Sequence, residues 1–255
     1  MTEASLNEDS RARNLCRVGA VAALLAALVF RRNLAAEMAM FFGAAPKTGA
    51  DWFVLLRSNG LLGVISLNFF DVIDYALVCI MFLGLFAALK KTNRILAGSA
   101  AAICLAGVFV YAFSDTSFRI ISLSNQYANA ANDMQKTALL ATAQEVLAKG
   151  IPGAGYQGTG GTLSMFLIAA AGLVMSVALL RTRGFYWATG YVGIVASAFD
   201  FAYLASLNII PAANNEVWSS VFVGGAGLLL MIWHLLVGIK LYNLGRLRVN
   251  GGGNQ

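Results

Sequence analysis

An all-α, polytopic membrane protein with six transmembrane helices is the fold class this 255-residue chain predicts. Three observations carry the prediction. Only 12% of the residues are charged and 59% are hydrophobic, against about 25% charged in a soluble domain. Apolar runs cover 61–89, 95–113, 163–180, 185–207 and 217–239, each close to the roughly 20 residues a helix needs to cross hydrocarbon. The basic residues cluster at the ends of these runs. A single transmembrane domain over 1–248 is expected, with spans at about 14–33, 61–89, 95–113, 162–180, 185–207 and 217–241.

The first span is the shortest apolar stretch, "VGAVAALLAALVF" at 18–30, between Arg17 and the Arg31–Arg32 pair. A basic flank before a short apolar run also fits a signal peptide. Arginines rather than small residues follow it, however, and a helix continuing into "NLAAEMAMFF" lets Arg31 and Arg32 snorkel. An uncleaved first span is therefore expected. Basic turns at 90–94 and 181–184 join spans 2–3 and 4–5 into helical hairpins. In the last span, the "GGAG" at 224–227 offers small residues for close helix approach.

Residues 114–161 form the long connection between spans 3 and 4, expected to be an extracytoplasmic helical segment. The stretch "SNQYANAANDMQKTALLATAQEVLAKG" lacks proline, is rich in Ala, Leu and Gln, and ends at Gly150 with Pro152 beyond. That is helix-former composition with a glycine stop. Met134, Ala138, Ala141 and Glu145 share one side, and Leu139, Thr142 and Val146 a neighbouring one. The "GIPGAGYQGTGGT" that follows lacks the Lys and Ser/Thr of a phosphate-binding loop. Residues 249–255 read as a disordered tail. Trp52, Trp187 and Trp218 fall where interfacial aromatic belts form.

The net charge of +6 suits nucleic acid in principle, but its distribution rejects that partner. Arg11, Arg13, Arg17, Lys90, Lys91, Arg94, Arg181, Arg183, Lys240, Arg246 and Arg248 all fall on one side of a six-span arrangement. The positive-inside rule makes that side, with both termini, cytoplasmic. A cell membrane is expected, plasma or bacterial inner, with the lipid bilayer as the first partner.

Chemistry concentrates in the carboxylates. Counting at 1.5 Å per residue from the basic turns puts Asp74 at roughly 24 Å, Asp71 at roughly 28 Å, Asp200 at roughly 22 Å and Asp115 near 30 Å. Four carboxylates on three helices thus reach the outer third of the membrane. Residues three and four apart share a helix face, so Asn68, Asp71, Asp74 and Tyr75 form one polar strip. Lipid cannot satisfy charge, which turns the strip toward the bundle interior or a wet cavity. Arg57 and Arg119 are candidate ion-pair partners, and Asp115 joins them in a purely structural reading: water contacts, a helix cap, or a pair that fixes helix register.

Other chemistry is thin. His234, the only histidine, lies on the cytoplasmic half of the last span, away from the acidic layer, and reads as a packing residue. One histidine cannot supply a zinc hydrolase site, and no GxSxG accompanies it for a serine triad. Cys16, Cys79 and Cys104 make neither a disulfide framework nor a metal cluster. Cys79 and Cys104 sit at similar depth on consecutive helices, where small apolar residues touch. No metal site, cofactor or catalytic residue is expected, and enzyme is the weakest class.

The runs "ISLSNQYANAANDMQKTALLATAQEVLA" (121–148) and "VMSVALLRTRGFYWATGYVGIVAS" (174–197), with "NEDSRARNLCRVGAVAALLAAL" before and "HLLVGIKLYNLGRL" after, resemble the DUF4386-like group of multi-pass prokaryotic membrane proteins. The resemblance covers most of 11–248 and implies a helical membrane protein, with no substrate, cofactor or catalytic residue attached. The residues themselves leave two functions open. One is binding or transport of a small molecule or cation through an outward-facing acidic pocket formed by Asp71, Asp74, Asp200, Asn68 and Tyr75. The other is a structural or regulatory role, as a homo-oligomer or with a membrane partner.

Overall fold

The computed structural model describes residues 3–42, 46, 48–67, 69–149, 159–208 and 215–246. Asn68, most of the glycine-rich linker (150–158) and the tail (249–255) lie outside the described residues. Among the described residues ten helices follow one another, α1 (Glu3–Phe42), α2 (Gly49–Ser58), α3 (Gly60–Ser66), α4 (Phe69–Leu89), α5 (Arg94–Ser114), α6 (Ser117–Ala128), α7 (Asp133–Lys149), α8 (Thr159–Leu180), α9 (Trp187–Asn208) and α10 (Asn215–Arg246). The described residues contain no strand.

Among the described residues, six stretches are long and apolar enough to cross a membrane: Ser10–Val29, Asp71–Leu89, Arg94–Ala128, Thr159–Leu180, Trp187–Ser206 and Gly224–Arg246. This is the architecture of a multi-pass helical membrane protein. The chain falls into two compact units, one comprising Met1–Leu28, Ala76–Leu105 and Ala169–Gln255, the other Val29–Tyr75 and Ala106–Ile168.

The first unit is built on small residues. Ala20, Ala23, Ala26 and Ala27 of α1, Ala97, Ala100 and Ala101 of α5, and Ala171 and Ala178 of α8 are all buried. Their short side chains let helix backbones approach, which is how apolar helices associate where lipid removes the hydrophobic driving force between them. One such close approach is between Gly19 and Gly84. A Cβ on Gly19 would stand 2.8 Å from the Gly84 Cα, and one on Gly84 would stand 2.9 Å from the Gly19 Cα. Within the "GGAG" stretch, a Cβ on Gly225 would meet the Phe199 ring at 2.5 Å, whereas Gly224 faces open space. Larger side chains, Met81, Phe82 and Leu85 of α4, Met175 and Leu179 of α8, and Trp233 and Leu241 of α10, fill the remaining interior. Asn93, just after the turn that ends α4, donates to the Ala178 carbonyl at 3.3 Å. The Cys79 and Cys104 side chains are near enough to interact.

The second unit has a core of Trp52, Phe53, Leu67, Ile120, Leu123, Ala143, Val146 and Leu147. Helix α2 begins with a capping box: Thr48 Oγ1 accepts from the Asp51 amide at 3.2 Å, and Asp51 Oδ2 accepts from the Thr48 amide at 2.9 Å. This pins the two N-terminal donors reciprocally and fixes the helix phase that turns Trp52 and Phe53 inward. Trp52 is therefore 2% exposed and belongs to a core rather than to an aromatic belt, while Trp187 and Trp218 are 73% and 54% exposed.

Two further helix boundaries were hidden in apolar or alanine-rich sequence. The 61–89 run is two helices, α3 and α4, and the Leu67 carbonyl at the junction accepts a hydrogen bond from Ser117 Oγ of α6 at 2.7 Å. A freed backbone group in such surroundings needs a neighbouring hydroxyl of this kind. The 116–150 segment is likewise two helices. Asn132 Oδ1 accepts from the Gln135 amide at 2.9 Å, and Gln135 Oε1 accepts from the Ala131 amide at 2.9 Å, so α7 starts afresh with its own cap. Its Val146 stripe is the buried one. The Met134 stripe is exposed, Met134 itself at 83%.

Ser117→Ala should cost about 1–3 kcal/mol, the penalty for leaving the buried Leu67 carbonyl without its donor. A thermal melt of the purified protein in detergent checks this. A shift no larger than that of Ser122→Ala, at an exposed site on the same helix, would show that the junction does not depend on the bond.

Candidate functional site

The acidic strip opens α4 in the second unit. Asp71 is half-buried, and Asp74, almost one turn further, is 5% exposed. Their i, i+3 spacing puts both on one helix face, and they are near enough to interact electrostatically. Among the described residues, Asp74 Oδ1 is buried and has no hydrogen-bond partner. Tyr75 is buried beside it, and its ring packs on Tyr111 of α5 with centroids 4.4 Å apart at 57°. Tyr111 is 6% exposed and lies within electrostatic reach of both Asp71 and Asp115. Asp71, Asp74, Tyr75 and Tyr111 thus form one acidic and aromatic cluster, with Asp115 at its border.

Asp115 itself is engaged with backbone. Its Oδ1 accepts from the Ser117 amide at 3.0 Å, at the start of α6, where Thr116 makes no side-chain cap. This is the helix-capping role that a carboxylate next to a helix start commonly takes. Arg57 closes the last turn of α2 and is exposed, as is Arg119 on α6. Basic charge at the C-terminal end of α2 complements the helix dipole, which accounts for Arg57 without a carboxylate partner.

Asp200 belongs to the first unit. It is 9% exposed on α9 and continues a buried polar stripe formed by Thr189 and Ser197, with Gly193 between them, at the four-, four- and three-residue steps of one helix face. Ser197 Oγ donates to the Gly193 carbonyl at 2.9 Å. At Gly193 the α9 backbone is approached by two buried polar groups, Ser176 Oγ of α8 and Trp233 Nε1 of α10. A Cβ there would overlap Ser176 Oγ and stand 2.5 Å from Trp233 Nε1. His234 follows Trp233 as a buried residue, its ring 5.5 Å from the indole.

Tyr111, Ser176, Thr189, Ser197 and Trp233 are absent from the sequence-derived site. Three of these residues had a readable sign. Tyr111 is 16 residues from Ile95, the same count that separates Asp74 from Lys90. The Thr189–Gly193–Ser197–Asp200 stripe is visible in its spacing. The convergence of Ser176 and Trp233 on Gly193 depends on three helices meeting and has no sign in any one of them.

Chemically, the cluster around Asp74 offers oxygen donors only: two carboxyls and two phenols. Among the described residues, no three His, Cys, Asp or Glu side chains are grouped to hold a metal ion. An oxygen-only set of low charge suits a proton, a monovalent ion or an organic cation, the last also favoured by aromatic faces. No family model, curated protein or solved structure matches the chain.

Proposed function

We propose that this protein binds a cation in the membrane through Asp74, with Asp71, Tyr75 and Tyr111 around it, as part of a binding or transport cycle. One observation carries the reading. Asp74 is 5% exposed in an apolar helix, and its Oδ1 has no hydrogen-bond partner. Leaving a buried acceptor unsatisfied costs about 1–3 kcal/mol, and ionisable residues in membrane spans are found where ions or substrates pass. Asp200, buried in the other unit, is a separate candidate carboxyl. The basic residues at span ends support cytoplasmic termini in a plasma or bacterial inner membrane, and the DUF4386-like resemblance fits that setting without adding an activity.

The test is a thermal-shift titration of the purified protein in detergent with sodium, potassium, lithium and tetramethylammonium chlorides at constant ionic strength. A bound cation stabilises by mass action, about 2.7 kcal/mol at a hundredfold excess over Kd. One of these cations should raise Tm in the wild type and leave Asp74→Asn unmoved, with Asp115→Asn still responsive. Equal responses to all four salts, or a response that survives Asp74→Asn, would remove the reading.

A second reading, assembly with another copy or a membrane partner, has its own support. An open groove of about 760 Å³ lies on α6 and α7, lined by Phe118, Ile121, Asn125, Gln126, Gln135 and Leu139 among others. A bulky Gln126→Trp should then change the oligomeric state in detergent without touching the cation response.

A further inference from the structure

The geometry points to a binding site for one anionic phospholipid on the α1–α4 face of the first unit. A groove of about 320 Å³ runs there between Val18, Val21 and Leu25 of α1 and Leu77 and Ile80 of α4, with the apolar stem of Arg17 bordering it. Val18, Val21 and Leu25 are 54%, 55% and 45% exposed and Ile80 is 37% exposed. Both walls belong to stretches apolar enough to cross a membrane, so the groove opens toward lipid. From Arg17 to Leu25 it extends roughly 12 Å along the helix. Its volume is at the low end of ligand-sized cavities, which suits one acyl chain.

The end of the groove supplies charge. Arg17 Nε donates to the Gly245 carbonyl of α10 at 2.9 Å. Gly245 stands in the last turn of α10, where carbonyls have no partner within the helix, so this bond satisfies the carbonyl and holds the guanidinium in place. Nε is one of five N–H donors on that group. The fork beyond it has the planar shape that phosphate oxygens match.

Two more arginines occur on the chain near Gly245. Arg13 lies one turn earlier on the Arg17 side of α1, with its carbonyl 3.4 Å from where a Gly245 Cβ would be. Arg246 follows Gly245 and packs over the Tyr242 ring at 5.5 Å. An apolar trough bordered by the stem of an exposed arginine, whose guanidinium is pinned to backbone just beyond it, has the polarity of a phospholipid: one chain in the groove, the phosphate at Arg17. A free phosphate uses only the mouth and a neutral lipid only the trough.

Native mass spectrometry of the full chain, with phosphatidylglycerol or phosphatidylcholine added to the detergent, tests this. The wild type should retain phosphatidylglycerol at least about tenfold better than phosphatidylcholine, the scale of a charge-assisted hydrogen bond. Arg17→Gln should abolish that preference. Val21→Trp, at an exposed position that tolerates size, should lower retention of the lipid by filling the groove. Arg183→Gln, exposed elsewhere on the same unit, should change nothing. Inorganic phosphate in large excess should fail to displace the lipid. Equal retention of the two lipids, retention unchanged in Val21→Trp, an equal loss in Arg183→Gln, or displacement by phosphate would each overturn the site. Val21→Trp decides the matter even if Arg17→Gln fails to fold.

Discussion

Gly84→Leu should destabilise the protein by about 3 kcal/mol, the upper part of the range for overpacking, and should lower its yield from membranes. The reason is that backbone, not a side chain, occupies the space. A Cβ at Gly84 meets the Gly19 Cα at 2.9 Å and the Leu15 carbonyl at 3.1 Å. A flexible side chain can rotate away from such a contact, whereas two helix axes must separate to relieve this one. Separation would strip van der Waals contact from a helix pair that has little else to hold it in lipid. Gly224→Leu is the matched control in the same unit, because nothing lies within 4 Å of its Cβ position. Denaturation in mixed micelles, followed by tryptophan fluorescence, should show a large shift for Gly84→Leu and almost none for Gly224→Leu. Equal shifts would mean that the crossing at Gly19 is not a determinant of stability.

What could be read in advance follows from what hydropathy measures. Crossing hydrocarbon requires a long apolar helix, and that requirement leaves a mark on composition wherever a span occurs. All six stretches were legible for this reason. Helix ends inside apolar sequence leave no such mark. The break at Leu67 sits in "LLGVISLNFF", where every residue fits a continuous helix, and the group that satisfies it, Ser117, is 50 residues away. Helix α2 went unread because its identity rests on the Thr48–Asp51 box and an amphipathic turn too short to stand out. Trp52 was consequently assigned to an interface when the phase of α2 turns it into a core.

For the site, depth and direction were legible and partners were not. Counting residues from a basic turn gives height, and the i, i+3 rule gives the shared face of Asp71 and Asp74. Neither says which helix stands opposite. Tyr111 faces Tyr75 because of how α4 and α5 pack, and Asp115 is committed to the Ser117 amide because α6 begins there. Such assignments depend on contacts between segments distant in sequence, of which a single sequence carries little trace.

Asp74→Val should leave the protein at least as stable as the wild type, with a gain of up to about 1–3 kcal/mol from removing an unsatisfied buried oxygen, while the cation response disappears. This pairing separates the two meanings a membrane carboxylate can have. A carboxylate that locks helices together is matched by donors, and its removal strands a buried partner at a cost of roughly 3–5 kcal/mol. A carboxylate held for a ligand keeps an unsatisfied atom until the ligand arrives, so its removal relaxes the protein and ends the function, the usual opposition of stability and activity. Asp74, with Oδ1 unpartnered at 5% exposure, has the second profile. Asp115 is a local helix cap and fits neither profile, so Asp115→Ala should cost about 1 kcal/mol with the proposed cation response intact. Melting curves of both variants, with and without the cation that stabilises the wild type, read all four outcomes in one experiment. A loss of 3 kcal/mol or more in Asp74→Val would make Asp74 a structural lock and withdraw the cation site with it.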